Sequence, residues 1–474
     1  VWHRLFGQDV TLWGPTHLMM ITGAVLSIVA IGMLQVEGER AYGPAKNAAQ
    51  RWRRFASRVT IPMAFLIAGS LYLGEWDWGV QQYLMVWQPL LLASVAGFAL
   101  VFARQWIGRP GGAIYAAVGY TGARLIVNAI VGYGFGQTMP TLPLFIAEAL
   151  VVEAVFLIPA LRKGTLLPVV AAGVGIGTIG FAAQYGWTQI AMPTPWTTEL
   201  LGNGIPMAIV GGIAGSMLGM LFAIAMRGKL ALVPQRRPYA AAAGIALLAC
   251  AGIAANQNYA PGGMVTTTIS GAHQVRGAIG TGPDDGPIRH ATITVRFQNP
   301  ADAVGAHYVS TVAWQGGGLV SDDMEKIGDG VYRTDKAIPL GGKWKTIVRV
   351  QIGRRLMAVP VELPADPAIP VGAHVNPGTE TQQLRTELKL MQRERKPDVP
   401  ATLWTPAIVG VLGTMTLFAF GLAFAAARIG LRTKREPRTL TADAAAGSGD
   451  APRGTRQGFG PAGGPSVAHS PSDR

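Results

Sequence analysis

The residues best placed for chemistry are two imidazoles at the head of the chain. His3 follows Trp2, and His17 follows Pro15-Thr16, with Asp9 between them. The chain has only seven histidines, and these two bracket the entry to its first long apolar run. Imidazole with a carboxylate suits copper, zinc or iron. Ionisable groups at membrane depth are costly and are retained for function. The segment Gly74-Glu75-Trp76-Asp77-Trp78 follows the second apolar run, so Glu75 and Asp77 can add oxygen ligands from the same face. The alternative reading of His3 and His17 is interfacial, with imidazole and indole resting at headgroup level beside Trp2 and Trp13.

A second set lies inside the apolar runs. Arg124 and Asn128 stand one helical turn apart on the fourth run, Glu148 and Glu153 are on the fifth, and Gln184 is on the sixth. An arginine at the bilayer centre costs at least about 2.5–3.5 kcal/mol, so these groups are expected to face the bundle and pair. Arg124 with Glu148 or Glu153 is the expected pair. Such a network serves as a proton or ion relay or a polar cavity, or else fixes helix register.

Composition dictates the elements that position these groups. Of the 474 residues, 50% are hydrophobic and only 14% charged, and mean hydropathy is +0.30. Soluble domains carry about 25% charge, so a membrane protein is expected. Apolar runs at roughly 15–35, 58–75, 86–104, 111–134, 142–161, 165–186, 204–226, 238–256 and 402–428 read as about nine spans. Lys and Arg cluster at every second boundary: Lys46 to Arg58, Arg104 with Arg109, Arg162-Lys163, Arg227 to Arg237, and Arg428 to Arg435. The positive-inside bias then puts Val1 outside and the end of the last span inside. The net charge of +14 belongs to those loops, and no nucleic-acid partner is expected. The lone Cys250 excludes an intrachain disulfide or thiolate cluster. A start at Val1 with no signal peptide suggests a chain that began further upstream.

The expected domains are a polytopic helical part at 1–257, an external β-sandwich at 258–375, a juxtamembrane helix and last span at 376–430, and a disordered cytoplasmic tail at 431–474. Ala291–Phe297, Tyr308–Trp314 and Lys345–Val350 alternate as strands, separated by turn clusters such as Gly328-Asp329-Gly330. Tyr332 and Trp344 read as core or corner aromatics. His273, His290, His307 and His374 are scattered, without metal-ligand spacing. Gly211, Gly215 and Gly219 form a small-residue stripe for close helix packing, and Gly173, Gly175, Gly177 and Gly180 read the same way. No P-loop, nucleophile elbow, zincin motif or dinucleotide fingerprint occurs.

The opening segment, Trp2-His3 through Asp9 to Pro15-Thr16-His17-Leu18, resembles the C subunit of the copper membrane monooxygenases. That family has Trp-His, a turn containing Asp, then Pro-Ser-His-Ile at a helix entry. The resemblance implies that His3 and His17 are copper ligands, with an upstream aspartate lying before Val1. The family's second Asn/His cluster has no counterpart at Gly74–Trp78. The runs Ala291–Asp302, Gly328–Thr334 and Ile338–Val350 resemble the YtkA/FixH-like domains, which implies an immunoglobulin-like sandwich on the outer face of a bacterial membrane. Together these readings give an all-α membrane bundle of about nine helices, with an extracytoplasmic immunoglobulin-like sandwich inserted before the last. The expected location is a bacterial inner membrane. The expected partners are the lipid bilayer and either other membrane subunits or a second copy. The leading expected function is copper handling or monooxygenase-like oxidation at His3, His17, Asp9, Glu75 and Asp77, with zinc or iron as alternative metals. The alternatives are a transporter lined by Arg124, Asn128, Glu148, Glu153 and Gln184, and an assembly factor of a respiratory complex.

Overall fold

The computed structural model describes residues 15–79, 85–162, 166–229, 262–274, 287–315, 318–353, 355–365 and 375–387, with scattered positions between 241 and 421. Helix α1 spans Pro15–Ala41 and α2 spans Ala48–Ser70. Asn47 caps α2 by accepting from the amide of Gln50, and Arg58 of α2 pairs with Glu39 of α1 at 2.5 Å. A 3-10 turn, Leu71–Leu73, leads into the short α3, Gly74–Trp78. Helix α4 runs Trp87–Ile107 and stops at Gly108, whose φ of 74° is left-handed. Helix α5, Gly112–Ala129, continues as a π turn over Ile130–Gly134. Helix α6 is only Ile146–Leu157. Helices α7, Leu166–Gly175, and α8, Phe181–Ala191, are joined through a π turn at Ile176–Gly180, and α9 runs Leu201–Met226.

Among the described residues six helical stretches are long and apolar enough to cross a membrane: Met19–Ala41, Ala48–Leu73, Trp87–Ile107, Gly112–Gly134, Leu166–Ala191 and Thr198–Met226. They match six of the expected runs. The fifth does not. Helix α6 has 12 residues, about 18 Å of helix against the roughly 30 Å of a hydrocarbon core. The chain ahead of it, through Leu144, is not helical. Pro140 and Pro143 account for this, because each removes an amide donor and biases its predecessor to extended backbone. Most of 238–256 and 402–428 lies outside the described residues.

The glycine stripe of α9 lies on the backbone of α4. A side chain at Gly211, Gly215 or Gly219 would strike the carbonyl oxygens of Leu90, Ser94 and Phe98 in turn. On its other flank α9 meets α7 and the π turn that follows it, where Gly173 faces Gly212 and Ile213, and Gly177 faces Ala208 and Ile209. Small residues let these three backbones touch, which is how helices gain packing energy in lipid. Phe65, Phe98, Phe102 and Phe222 fill the space beside the stripe with ring centroids 5.0–6.4 Å apart.

The β domain has two antiparallel sheets around one core. The strands are β1 Met264–Gln274, β2 Arg289–Phe297, β3 Ala306–Gln315, β4 Gly318–Asp323, β5 Glu325–Gly328, β6 Val331–Arg333, β7 Ile338–Leu340, β8 Lys345–Ile352, β9 Arg355–Glu362, β10 Glu380–Gln383 and β11 Arg385–Thr386. One sheet has the order β10-β1-β2-β6-β5, with β7 also on β2; the other is β11-β9-β8-β3-β4. Ile293, Val295 and Phe297 of the first sheet meet Val309, Val348, Val350 and Val359 of the second. Trp344 is buried in that core and Tyr332 packs on it. Residues 380–386 are edge strands rather than the start of the expected juxtamembrane helix, so the sandwich extends past 375. Register explains the difference: Thr266 and Thr267 pair with Thr381 and Glu380, a ladder that outweighs the helix-forming composition. Just beyond, Glu387 pairs with Arg349 of β8 at 2.5 Å, both wholly buried. Burial raises the Glu387 carboxyl above its ordinary range, against the pull of Arg349.

The sandwich rests on one end of the bundle. Thr197 Oγ1, just before α9, donates to Gly353 O at 3.2 Å, and Glu199 pairs with His307 at the start of β3.

Candidate functional site

The helix-breaking stretch before α6 organises the interior. Its backbone carbonyls have no helical partners, and in a bundle of this apolarity they must be satisfied by other groups. Side chains from two other helices supply the donors. Asn128 Nδ2 of α5 donates to Pro140 O at 2.6 Å. Arg124 Nη2, one turn earlier, donates to Thr141 O at 3.3 Å. Trp187 Nε1 of α8 donates to Leu142 O at 2.8 Å, and Gln184 Nε2 donates to Leu144 O. Thr141 in turn donates its amide to Asp77 O at 2.8 Å and its hydroxyl to Trp76 O. Each expected network residue on α5 and α8 therefore holds the extended segment.

The charges pair differently from expectation. Arg124 Nη2 meets Asp77 Oδ2 at 2.8 Å, with side chains 12% and 8% exposed. Glu153 meets Arg104 Nε at 2.9 Å, and the same carboxylate accepts the amides of Gly111 at 2.9 Å and Ala113 at 2.7 Å. Glu153 thus caps α5, where the helix dipole favours an anion. Among the described residues Glu148 meets no cation. It lies in the first turn of α6, fully enclosed, and accepts from Gln184 Nε2 at 2.8 Å. Arg124 pairs with neither glutamate because α3 folds the Gly74–Trp78 turn into the bundle and offers Asp77 first. Sequence reasoning placed Asp77 in an external turn and Arg104 in a basic loop, so neither was counted as interior. The Pro140/Pro143 pair is the signal that a broken helix follows.

Several buried polar atoms around the extended segment have no hydrogen-bond partner among the described residues. The donors are Trp76 Nε1 and Arg124 Nε, and the acceptors are Asp77 Oδ1, Asn128 Oδ1, Glu148 Oε2 and Gln184 Oε1. Aromatic rings enclose them. Trp76 stands edge-on to Trp196 at 5.6 Å, Phe181 stacks on Trp196 at 5.1 Å, and Tyr120 packs on Phe145 at 5.2 Å. Trp196 Nε1 donates to Gln88 Oε1 at 2.6 Å. The result is a polar layer on both sides of a broken helix, with donors and acceptors that have no partner among the described residues.

Of the expected metal set only His17 and Asp77 have described side chains. His3 and Asp9 lie outside the described residues, as does the side chain of Glu75. His17 is half-buried near the start of α1. Thr22, further along α1, is hydrogen-bonded to Tyr72 in the 3-10 turn that precedes Glu75 and Asp77. Asp77 itself points at Arg124. Among the described residues no three His, Cys, Asp or Glu side chains come together as a metal-binding group. His290 and His273, read as scattered, do meet across β1 and β2. No protein-family profile matches the chain, and no curated protein matches it.

Proposed function

We propose that this chain is a membrane transporter whose conduit runs through the polar layer around the broken helix, with protons its simplest cargo. The observation that carries this reading is the extended segment entering α6 inside the bundle, flanked by buried donors and acceptors that have no partner among the described residues. Irregular backbone at membrane depth is tolerated where it is enclosed by protein or lines a polar path. In secondary transporters discontinuous helices form the binding site, their half-helix ends facing the cargo. Here the amino-terminal end of α6 carries Glu148, an acid with an amide partner and, among the described residues, no cation, suited to taking up and releasing a proton.

The test is a flux assay in proteoliposomes. A potassium gradient with valinomycin drives protons, and an entrapped pH dye reports them. Wild-type protein is expected to acidify the lumen faster than protein-free vesicles, and Glu148→Gln to remove that excess. Wild-type flux equal to that of empty vesicles, or full flux in Glu148→Gln, overturns the reading.

The second reading is an outward-facing copper site related to the copper membrane monooxygenases. His3 and His17 would hold the metal, and copper there would supply redox or delivery chemistry. The contact of Thr22 with Tyr72 supports it, since it ties the first half of α1 to the 3-10 turn that leads into Gly74–Trp78. Asp77 does not fit as a ligand, because it is paired with Arg124. In both readings the sandwich is an extracytoplasmic, immunoglobulin-like cover on a bacterial inner-membrane protein. The assembly-factor alternative uses the same sandwich as a docking module.

A further inference from the structure

A pair of histidines stands apart from both readings, at the far end of the sandwich. Strands β1 and β2 pair from Val265↔Phe297 to Gln274↔Arg289, and His273 lies directly opposite His290. Side chains of directly opposed residues share a face with β-carbons about 4.5–5.5 Å apart. The two imidazole centroids are 6.3 Å apart with planes inclined at 62°. Metal–imidazole bonds of about 2.0–2.1 Å allow one ion to be shared by rings whose centroids are roughly 5–6.5 Å apart. The observed spacing falls within that range, toward its wide-angle end.

The ladder is bent to make this pairing. Between Ser270↔Thr292 and His273↔His290, β1 contributes Gly271 and Ala272 where β2 contributes only Ala291. That is a one-residue bulge, and Gly271 supplies it with a φ of +64°. Without the extra residue Ala272, not His273, would face His290. Bulges of this kind re-aim side chains at functional sites. The bulge also fixes the ring. His273 Nδ1 lies 3.2 Å from the carbonyl oxygen of Gly271. With Nδ1–H donating there, the lone pair is on Nε2 and free to bind, the usual arrangement of a ligand histidine oriented by a backbone carbonyl.

We propose that His273 and His290 form a cross-strand two-imidazole site for a late first-row transition-metal ion. Copper is preferred over zinc by the general affinity order for nitrogen donors. Two protein ligands leave coordination positions open, and His273 is exposed. Structural metal sites are closed by four protein ligands, so this one is built to load and release its ion. It lies at the end of the sandwich opposite His307 and Gly353, which touch the bundle.

The test uses the full chain in detergent, free of any metal-binding tag, with H3A and H17A introduced so that copper at the chain's opening is not counted. Copper(II) is titrated and followed by calorimetry and by the nitrogen hyperfine pattern of the electron spin resonance signal. A bound equivalent with nitrogen coupling is expected, displaced only by excess zinc. H273A with H290A should lose it, and H307Q should keep it. H273Q alone changes an exposed side chain and leaves the sandwich folded by circular dichroism. It should still weaken copper at least about tenfold, the lower bound even for loss of an outer-shell partner. Unchanged copper affinity and spectrum in H273Q and in the double variant, or no nitrogen-coupled copper in the parent, overturns the proposal.

Discussion

Replacing Asp77 by alanine is expected to destabilise the bundle by about 3–5 kcal/mol, the cost of leaving a buried arginine uncompensated. Arg124 would keep its bond to Thr141 O but lose its counter-charge among enclosed apolar side chains. The effect should spread, because Asp77 O accepts the amide of Thr141 and the same turn anchors the extended segment. Asp77→Asn with Arg124→Met should recover most of the loss, since removing both charges removes the desolvation penalty of each. Recovery should be incomplete, because Thr141 O loses its donor. Thermal unfolding of the solubilised protein, followed by retention on size exclusion, reads both variants. Asp77→Ala with parental stability would show that the pair is not enclosed as described.

The second large effect is expected at Glu153. Its carboxylate serves Arg104, the amide of Gly111 and the amide of Ala113 at once. Glu153→Ala removes all three contacts and strands Arg104 near the start of α5, again about 3–5 kcal/mol. Glu153→Gln keeps a carbonyl acceptor for one amide but loses the charge and the second acceptor, so its stability should fall between alanine and parent. The order parent, glutamine, alanine in unfolding temperature is the expected result. Glutamine and alanine variants that match the parent would reduce Glu153 to a bystander. This assignment also divides labour along α6. Glu153 is structural and fully engaged, while Glu148 keeps an oxygen unpartnered among the described residues.

Much of this architecture was legible in sequence. Hydropathy located six runs that are helices long enough to span, because burial of an apolar run depends only on length and composition. Strict alternation located β2, β3 and β8, because the period of a half-buried strand is local. The groups Arg124, Asn128, Glu148, Glu153 and Gln184 were found because charge and amide groups in apolar runs are rare. Their partners were not found, because pairing depends on which turn folds inward. Asp77 and Arg104 were assigned to loops, and both are buried counter-ions. The break before α6 was written in Pro140 and Pro143, yet an apolar window spanning them still reads as one helix. His273 and His290 were separated by a hairpin whose register no local pattern sets. The bulge at Gly271 shifts that register by one residue, so even a correct strand pair would have placed Ala272 opposite His290.

Access of water to the extended segment decides whether the polar layer is a path or a sealed scaffold. A single cysteine at Thr141, in protein whose Cys250 is serine, can be challenged with a small cationic thiol reagent in sealed vesicles. The thiol is expected to react without denaturation, and faster than a cysteine at Ala96, which is wholly enclosed on α4. A cysteine at 141 that stays unmodified until detergent unfolds the protein would contradict a conduit through this layer.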